Sequence, residues 1–173
     1  MTGRARSAGA NRADKTEKTD EAKKAELDAV QAALAAEHAA VYGYGVVGGK
    51  IREGRRAEAR AAYDAHRARR DALAREVRDR GGEPVPAAAG YALPFAVPDS
   101  SAAVRLAAEL EDRVAGVYSD LVRAVGGGLR GTAAEALREA AVRSVRWRGG
   151  SVAFPGLTER AGPGSAAAPV PGD

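Results

Sequence analysis

Glu37, His66 and Glu111 each stand where an apolar side chain belongs. On the first predicted helix, Leu27, Val30, Leu34, Glu37, Val41, Tyr44, Gly48 and Ile51 recur in steps of three and four, the spacing that turns one helix face toward a core. Val104, Ala107, Glu111, Val114, Tyr118, Leu121 and Val125 repeat the ladder on a later helix, and each carboxylate stands seven residues before a tyrosine. Between them, Ala59, Ala62 or Tyr63, His66, Arg70, Leu73 and Val77 place an imidazole in the stripe of a second helix. Two carboxylates and an imidazole turned toward one axis support two kinds of chemistry. They can hold one Fe, Mn or Zn ion, in a set resembling a facial triad with water completing the shell. They can also form a buried polar network of Glu37, Tyr44, His66, Arg70, Glu111 and Tyr118, in which Arg70, one turn beyond His66, neutralises a carboxylate. A buried carboxylate needs a partner, and either arrangement provides one.

The elements that must position these residues can be read from helix signals. Thr19 or Asp20 can cap a helix that runs to about Gly48, with Glu21 favourable in its first turn. A short turn over Gly49 to Arg56 leads to a second helix, about Arg55 to Arg80, which Gly81-Gly82 stops. Residues 81–100 hold four prolines together with Tyr91, Leu93, Phe95 and Val97, so this segment is expected to be ordered, non-helical and packed along the bundle. Asp99 or Ser100 caps a third helix to about Val125, Gly126-Gly127-Gly128 ends it, and Thr132 caps a fourth reaching about Arg148. The expected fold is therefore all-α: two antiparallel helical hairpins joined by a long crossover, the connection order of ferritin-like four-helix bundles. The first and third helices also read as weak internal copies at an offset of 74 residues, which maps Glu37 to Glu111, Tyr44 to Tyr118, Arg69 to Arg143 and His66 to Ala140.

The 173 residues suit one domain, and residues 1–20 and 158–173 read as a disordered N-terminal tail and a flexible C-terminal tail around a domain at 21–157. With no cysteine there is no disulfide, thiolate metal site or cysteine nucleophile. The net charge of +4 comes from 27 basic against 23 acidic residues, a weak preference for anionic partners only. No apolar run is long enough for a membrane span and no secretory h-region is present, so a cytoplasmic protein is expected, with no membrane partner. The arginines from Arg67 to Arg80 alternate with Asp71, Glu76 and Asp79 around the helix, which makes a solvated face and argues against nucleic acid. Gly43, Gly45 and Gly48 lack the strand and the GK[ST] of a phosphate loop, and read as a helix-contact surface within the bundle or across a homodimer. His38 points about 100° away from Glu37 and is an interfacial or exposed histidine. Trp147 with Phe154 is expected to close one end of the core.

The runs AALAAEHAAVYGYGVVG, HRARRDAL, YALPFAVPDSSAAVRLAAELED and VRWRGGSVAFPGL resemble a bacterial branch of the ferritin-like superfamily carrying a domain of unknown function. The resemblance covers roughly residues 27–157 and implies a four-helix bundle without an established activity. Di-iron members of that superfamily place a Glu on the first and third helices and Glu-x-x-His on the second and fourth. Glu37, Glu111 and His66 match part of this pattern. Tyr63 stands where the Glu preceding His66 would be, and the fourth helix has no His. The resemblance thus implies a member lacking the di-iron site, non-catalytic or degenerate, that acts through a helix-packing or partner surface, with a homodimer through helix faces as one form. The alternative it leaves is a mononuclear metal protein using Glu37, His66 and Glu111 for redox chemistry or storage.

Overall fold

The computed structural model describes residues 4–150, with side chains from residue 17 onward. The expected tail at 158–173 and the expected role of Phe154 lie outside the described residues. Four α-helices follow in order: α1 (Arg4–Lys50), α2 (Arg56–Asp79), α3 (Ser100–Ala124) and α4 (Gly127–Arg148). No strand occurs among the described residues, and no helix is long and apolar enough to cross a membrane.

α1 passes straight through Thr19 and Asp20, so neither caps it and the helical region begins upstream of the boundary expected at residue 20. The reason is local: this stretch has no proline, and its charges pair along the helix, Lys23 with Asp20 and Lys24 with Asp28. α2 ends as expected. Gly81 takes a left-handed φ of 77°, and the Gly82 N–H donates to the Val77 carbonyl at 2.9 Å, a Schellman closure that needs glycine. At α3, Asp99 accepts from the Ala102 N–H at 2.8 Å, as an N-cap should. α4 starts five residues before the expected cap. Gly126 is its N-cap and Gly127 adopts φ 58°, so the glycine run makes a tight corner and then feeds the helix. Thr132 sits inside α4, its hydroxyl donating back to the Gly128 carbonyl.

The short corners make α1/α2 and α3/α4 hairpins, and residues 81–99 form the crossover. The Gln31 amide donates to the Glu83 carbonyl and accepts from the Val85 N–H, the Tyr91 ring lies 5.5 Å from Tyr42, and the Ser100 hydroxyl accepts from the Arg52 N–H. These contacts trace the crossover up the length of α1. Tyr91, Leu93, Phe95 and Val97 are half-buried while Ala92, Pro94, Ala96 and Pro98 are exposed, the alternation of an extended chain laid on an apolar surface.

α1 packs closely on α2 and α3, and α3 on α4, while α2 and α4 stand further apart. Apolar burial forms two clusters. One holds Val30, Leu34, Leu73, Val77, Val114 and Leu121; the other holds Tyr44, Val47, Ile51, Leu106 and Trp147. Each large side chain buried this way contributes about 1.5–3 kcal/mol. At the α1/α3 contact, a Cβ on Gly43 would come within 2.6 Å of Leu110, so glycine lets the helices close there. Gly45 and Gly48 meet nothing within the chain and are exposed, so of the three glycines only Gly43 serves a contact within the bundle, and Val47 takes the seam position assigned to Gly48.

Candidate functional site

Between the two apolar clusters, Glu37, His66 and Glu111 come together with no solvent exposure. α1 and α3 run antiparallel, so the internal copies exchange bonds. The Tyr44 hydroxyl donates to Glu111 Oε1 at 2.6 Å, and the Tyr118 hydroxyl donates to Glu37 Oε1 at 2.7 Å. Each tyrosine thereby serves the carboxylate of the other copy. From α2, the imidazole of His66 lies between the two acids: Nδ1 is 2.6 Å from Glu37 Oε2 and Nε2 is 3.2 Å from Glu111 Oε1. A neutral ring would set one nitrogen lone pair against a carboxylate oxygen, so the geometry calls for an imidazolium donating on both sides. The Tyr44 ring stacks on His66 at 5.2 Å between centroids, and the Trp147 indole N–H donates to the Tyr44 hydroxyl at 2.9 Å.

Arginine enters the network from α4. Arg143 Nε donates to Glu111 Oε1 at 2.7 Å and its Nη1 donates to Glu139 at 3.3 Å, while Arg69 of α2 reaches the same Glu139 oxygen. Arg70, expected here, instead pairs with its neighbour Asp71 at 2.7 Å. The reason is phase. The inward residues of α2 are Ala59, Ala62, His66, Leu73 and Val77; positions 69 and 70 border that face on opposite sides, and it is Arg69 that lies on the α4 side, where it meets Glu139. The signal that could have found Arg143 is the internal repeat, which pairs it with Arg69. Trp147, expected only as an end cap, is also the last donor of the network.

The electrostatics follow from these contacts. Burial works against a charged His66, but the hydrogen bonds to Glu111 and Glu37 outweigh it and raise the imidazole above its ordinary range. Burial likewise works against ionised Glu111, yet the hydrogen bonds from His66 and Arg143 hold it below the usual carboxylate range. Burial, followed by the charge of the adjacent carboxylate, pushes Tyr44 and Tyr118 far above ordinary phenols, so both stay protonated donors. Glu37, Glu111 and Glu139 balance His66, Arg69 and Arg143, and the cluster is neutral without any further ion. Among the described residues no group of three His, Asp or Glu side chains is arranged to hold a metal ion. Both imidazole nitrogens are directed at carboxylate oxygens, and Arg143 occupies the outer side of Glu111.

The remaining singled-out residues lie outside this centre. His38 is half-buried and its Nε2 donates to the Val85 carbonyl at 3.1 Å, fastening α1 to the crossover. Tyr42 is exposed against Tyr91, and Tyr63 lies between Arg60 and Arg67. Above the centre, the wider α2/α4 side is a groove crossed by the Arg69–Glu139–Arg143 bridge, with a cavity of about 490 Å³ on the Arg69 side and one of about 310 Å³ on the Arg143 side. Tyr118 lines the larger cavity, so the groove reaches down to the network. Among the described residues three buried side-chain polar atoms lack a partner: Arg69 Nη1, Arg143 Nη2 and Glu111 Oε2. All three belong to the bridge and the acid beneath it.

Residues 29–159 match the family described as a domain of unknown function (DUF4439). The chain is also similar to the crystal structure of a conserved hypothetical protein from Mycobacterium tuberculosis, with 36% identity, a TM-score of 0.70, and coverage of 72% of this chain and 96% of that one. No protein of curated function matches the chain.

Proposed function

The chain belongs to the DUF4439 family, domains of unknown function, and on that premise we propose that it is a non-catalytic, ferritin-like bundle that works as a binding module through its open α2/α4 face. Two features support the ferritin-like reading: the hairpin, crossover, hairpin order of connections, and the reciprocal Tyr–Glu bonds between internal copies. The observation that carries the non-catalytic part is His66 bridging Glu37 and Glu111 through both ring nitrogens. In a metal centre an imidazole would offer a free lone pair to the ion, and the carboxylates would converge on one point. The bonds of His66 to both carboxylates and of Arg143 to Glu111 support a proton-bearing ring and a guanidinium in the place of an ion. With Tyr63 and Val142 at places where the di-iron pattern has Glu and His, dioxygen activation at a two-iron site has no ligand set. The open face is read as the working surface because α2 and α4 stand far enough apart to leave cavities between them, and exposed Val142 lines one of these.

The competing reading is one Fe, Mn or Zn ion held by Glu37, His66 and Glu111. It requires His66 to give up a proton and turn a nitrogen away from a carboxylate. Elemental analysis of protein purified without a histidine tag, followed by calorimetric titration of Fe(II), Mn(II) and Zn(II), separates the two. Less than a tenth of an equivalent of metal and no saturable binding are expected. One tight equivalent lost in His66→Ala but kept in His38→Ala would replace this proposal with the metal reading.

A further inference from the structure

We propose that the smaller cavity of the α2/α4 groove binds a small organic oxyanion, a carboxylate or phosphate monoester with an apolar body. This rests on the reading of that face as the working surface. The cavity, about 310 Å³, is lined by Arg138, Val142, Arg143 and Arg146 together with the carboxylates Glu58 and Glu139. Positions 138, 142 and 146 are successive helical turns of α4, so two guanidiniums flank an apolar wall on one face, and Arg143 enters beside them. The acids here are already committed: Glu58 accepts from Arg55 at 2.8 Å, and Glu139 accepts from Arg69 and Arg143. Among the described residues no carboxylate pairs with Arg138 or Arg146, and the buried Nη2 of Arg143 has no acceptor.

The charges of Arg143 and Glu139 balance within the network beneath, so the surplus positive charge and the unused guanidinium donors of the cavity come from Arg138 and Arg146. A guanidinium presents parallel N–H groups that match the two oxygens of a carboxylate or phosphate. Val142, 39% exposed, gives the organic part of the ligand a surface to cover. The larger cavity does not share this character. Glu76, Glu135 and Glu139 face Arg69 and Arg80 there, and both arginines are already paired, so an anion would be repelled. The ligand would also touch the core, because the Arg143 that meets it holds Glu111 at 2.7 Å.

The experiment is calorimetry and thermal shift on the full chain, chelator-treated and at constant ionic strength, with phenyl phosphate, benzoate and the neutral benzamide as probes. At least one anion should bind saturably at one equivalent and benzamide should not; whichever anion binds more tightly identifies phosphate or carboxylate as the preferred group. The double variant Arg138→Gln/Arg146→Gln, altered only at exposed positions, should melt like wild type without ligand and bind roughly tenfold more weakly or worse. Arg123→Gln, exposed on α3 and paired with Asp120, should bind as wild type. No saturable binding of either anion, equal binding of benzamide, indifference to the double variant, or an equal loss in Arg123→Gln would each overturn the site. These failures are distinct from failure of the underlying reading, which shows as metal bound at His66.

Discussion

Replacing Glu37 by leucine removes the acceptor of two buried donors, Tyr118 OH at 2.7 Å and His66 Nδ1 at 2.6 Å, in a position with no solvent exposure. Each buried donor left without an acceptor costs about 1–3 kcal/mol, and breaking a buried ion pair by deleting one member costs about 3–5 kcal/mol in all. For a chain of this size that corresponds to a melting point lower by roughly 8–15 °C. Glu37→Gln is the informative companion. Its amide oxygen can still accept from Tyr118. If His66 becomes the neutral tautomer protonated on Nε2, its Nδ1 accepts from the new amide N–H while Nε2 keeps its bond to Glu111. A negative and a positive charge leave together, every main contact is remade, and the cost falls to about 1–2 kcal/mol. Thermal and urea unfolding of the three proteins at pH 7 decide the matter. If Glu37→Leu melts within a degree or two of wild type, or Glu37→Gln falls as far as Glu37→Leu, the charge network does not hold the core as described.

The remaining predictions concern pH and packing. Because the folded-state value of His66 is raised, the native protein holds a proton that the unfolded chain releases near 6.5; its stabilisation is complete below that pH and drains away as pH rises through the raised value. Urea unfolding should therefore show stability falling through the alkaline range, at up to about 1.4 kcal/mol per pH unit, and this limb should vanish in Glu37→Gln; an unchanged limb in that variant assigns it to another group. Glu111 acts with opposite sign: its value is lowered, so its contribution is present above about 4.5 and is lost as pH falls through the lowered value, an acid limb that Glu111→Gln should flatten. Gly43→Ala gains helix propensity but sets its methyl against the Leu110 side chain, at a cost of about 1–3 kcal/mol before that gain, whereas exposed Gly45→Ala should stabilise by about 0.5–1 kcal/mol through helix propensity alone; Gly43→Ala should therefore be the less stable of the two, and equal effects would place the α1/α3 contact elsewhere.

The polar centre was largely legible in the sequence because helical phase is a strong signal wherever a residue breaks an apolar ladder. Glu37, Tyr44, His66, Glu111 and Tyr118 each occupy a seam position of their own helix, and the structure brings all five together. The arginine was not legible by the same route. Steps of three and four from His66 admit Arg70 as readily as Arg69, and the partner of Glu111 comes from a helix whose apolar stripe is thin. α4 contributes mostly alanine to the core, so its phase is faint and only the repeat with α2 points to Arg143. Helix starts were misplaced where glycine or polar residues allow a cap without requiring one, as at Thr132 and Thr19. The open α2/α4 side had no sequence signature, since an alanine face reads the same whether or not a neighbour covers it.

Nitrogen-15 NMR of the histidine side chains, with His38→Ala to leave His66 alone, tests the central claim most directly. At pH 7, in chelator-treated protein, both ring nitrogens of His66 should resonate as protonated imidazolium and couple to their hydrogens across the bonds to Glu37 and Glu111. Adding an equivalent of Zn(II) should leave the spectrum unchanged. A ring with one unprotonated nitrogen at that pH, or one whose signal moves to a metal-bound position on titration, would contradict a self-neutralised core and return Glu37, His66 and Glu111 to the role of ligands.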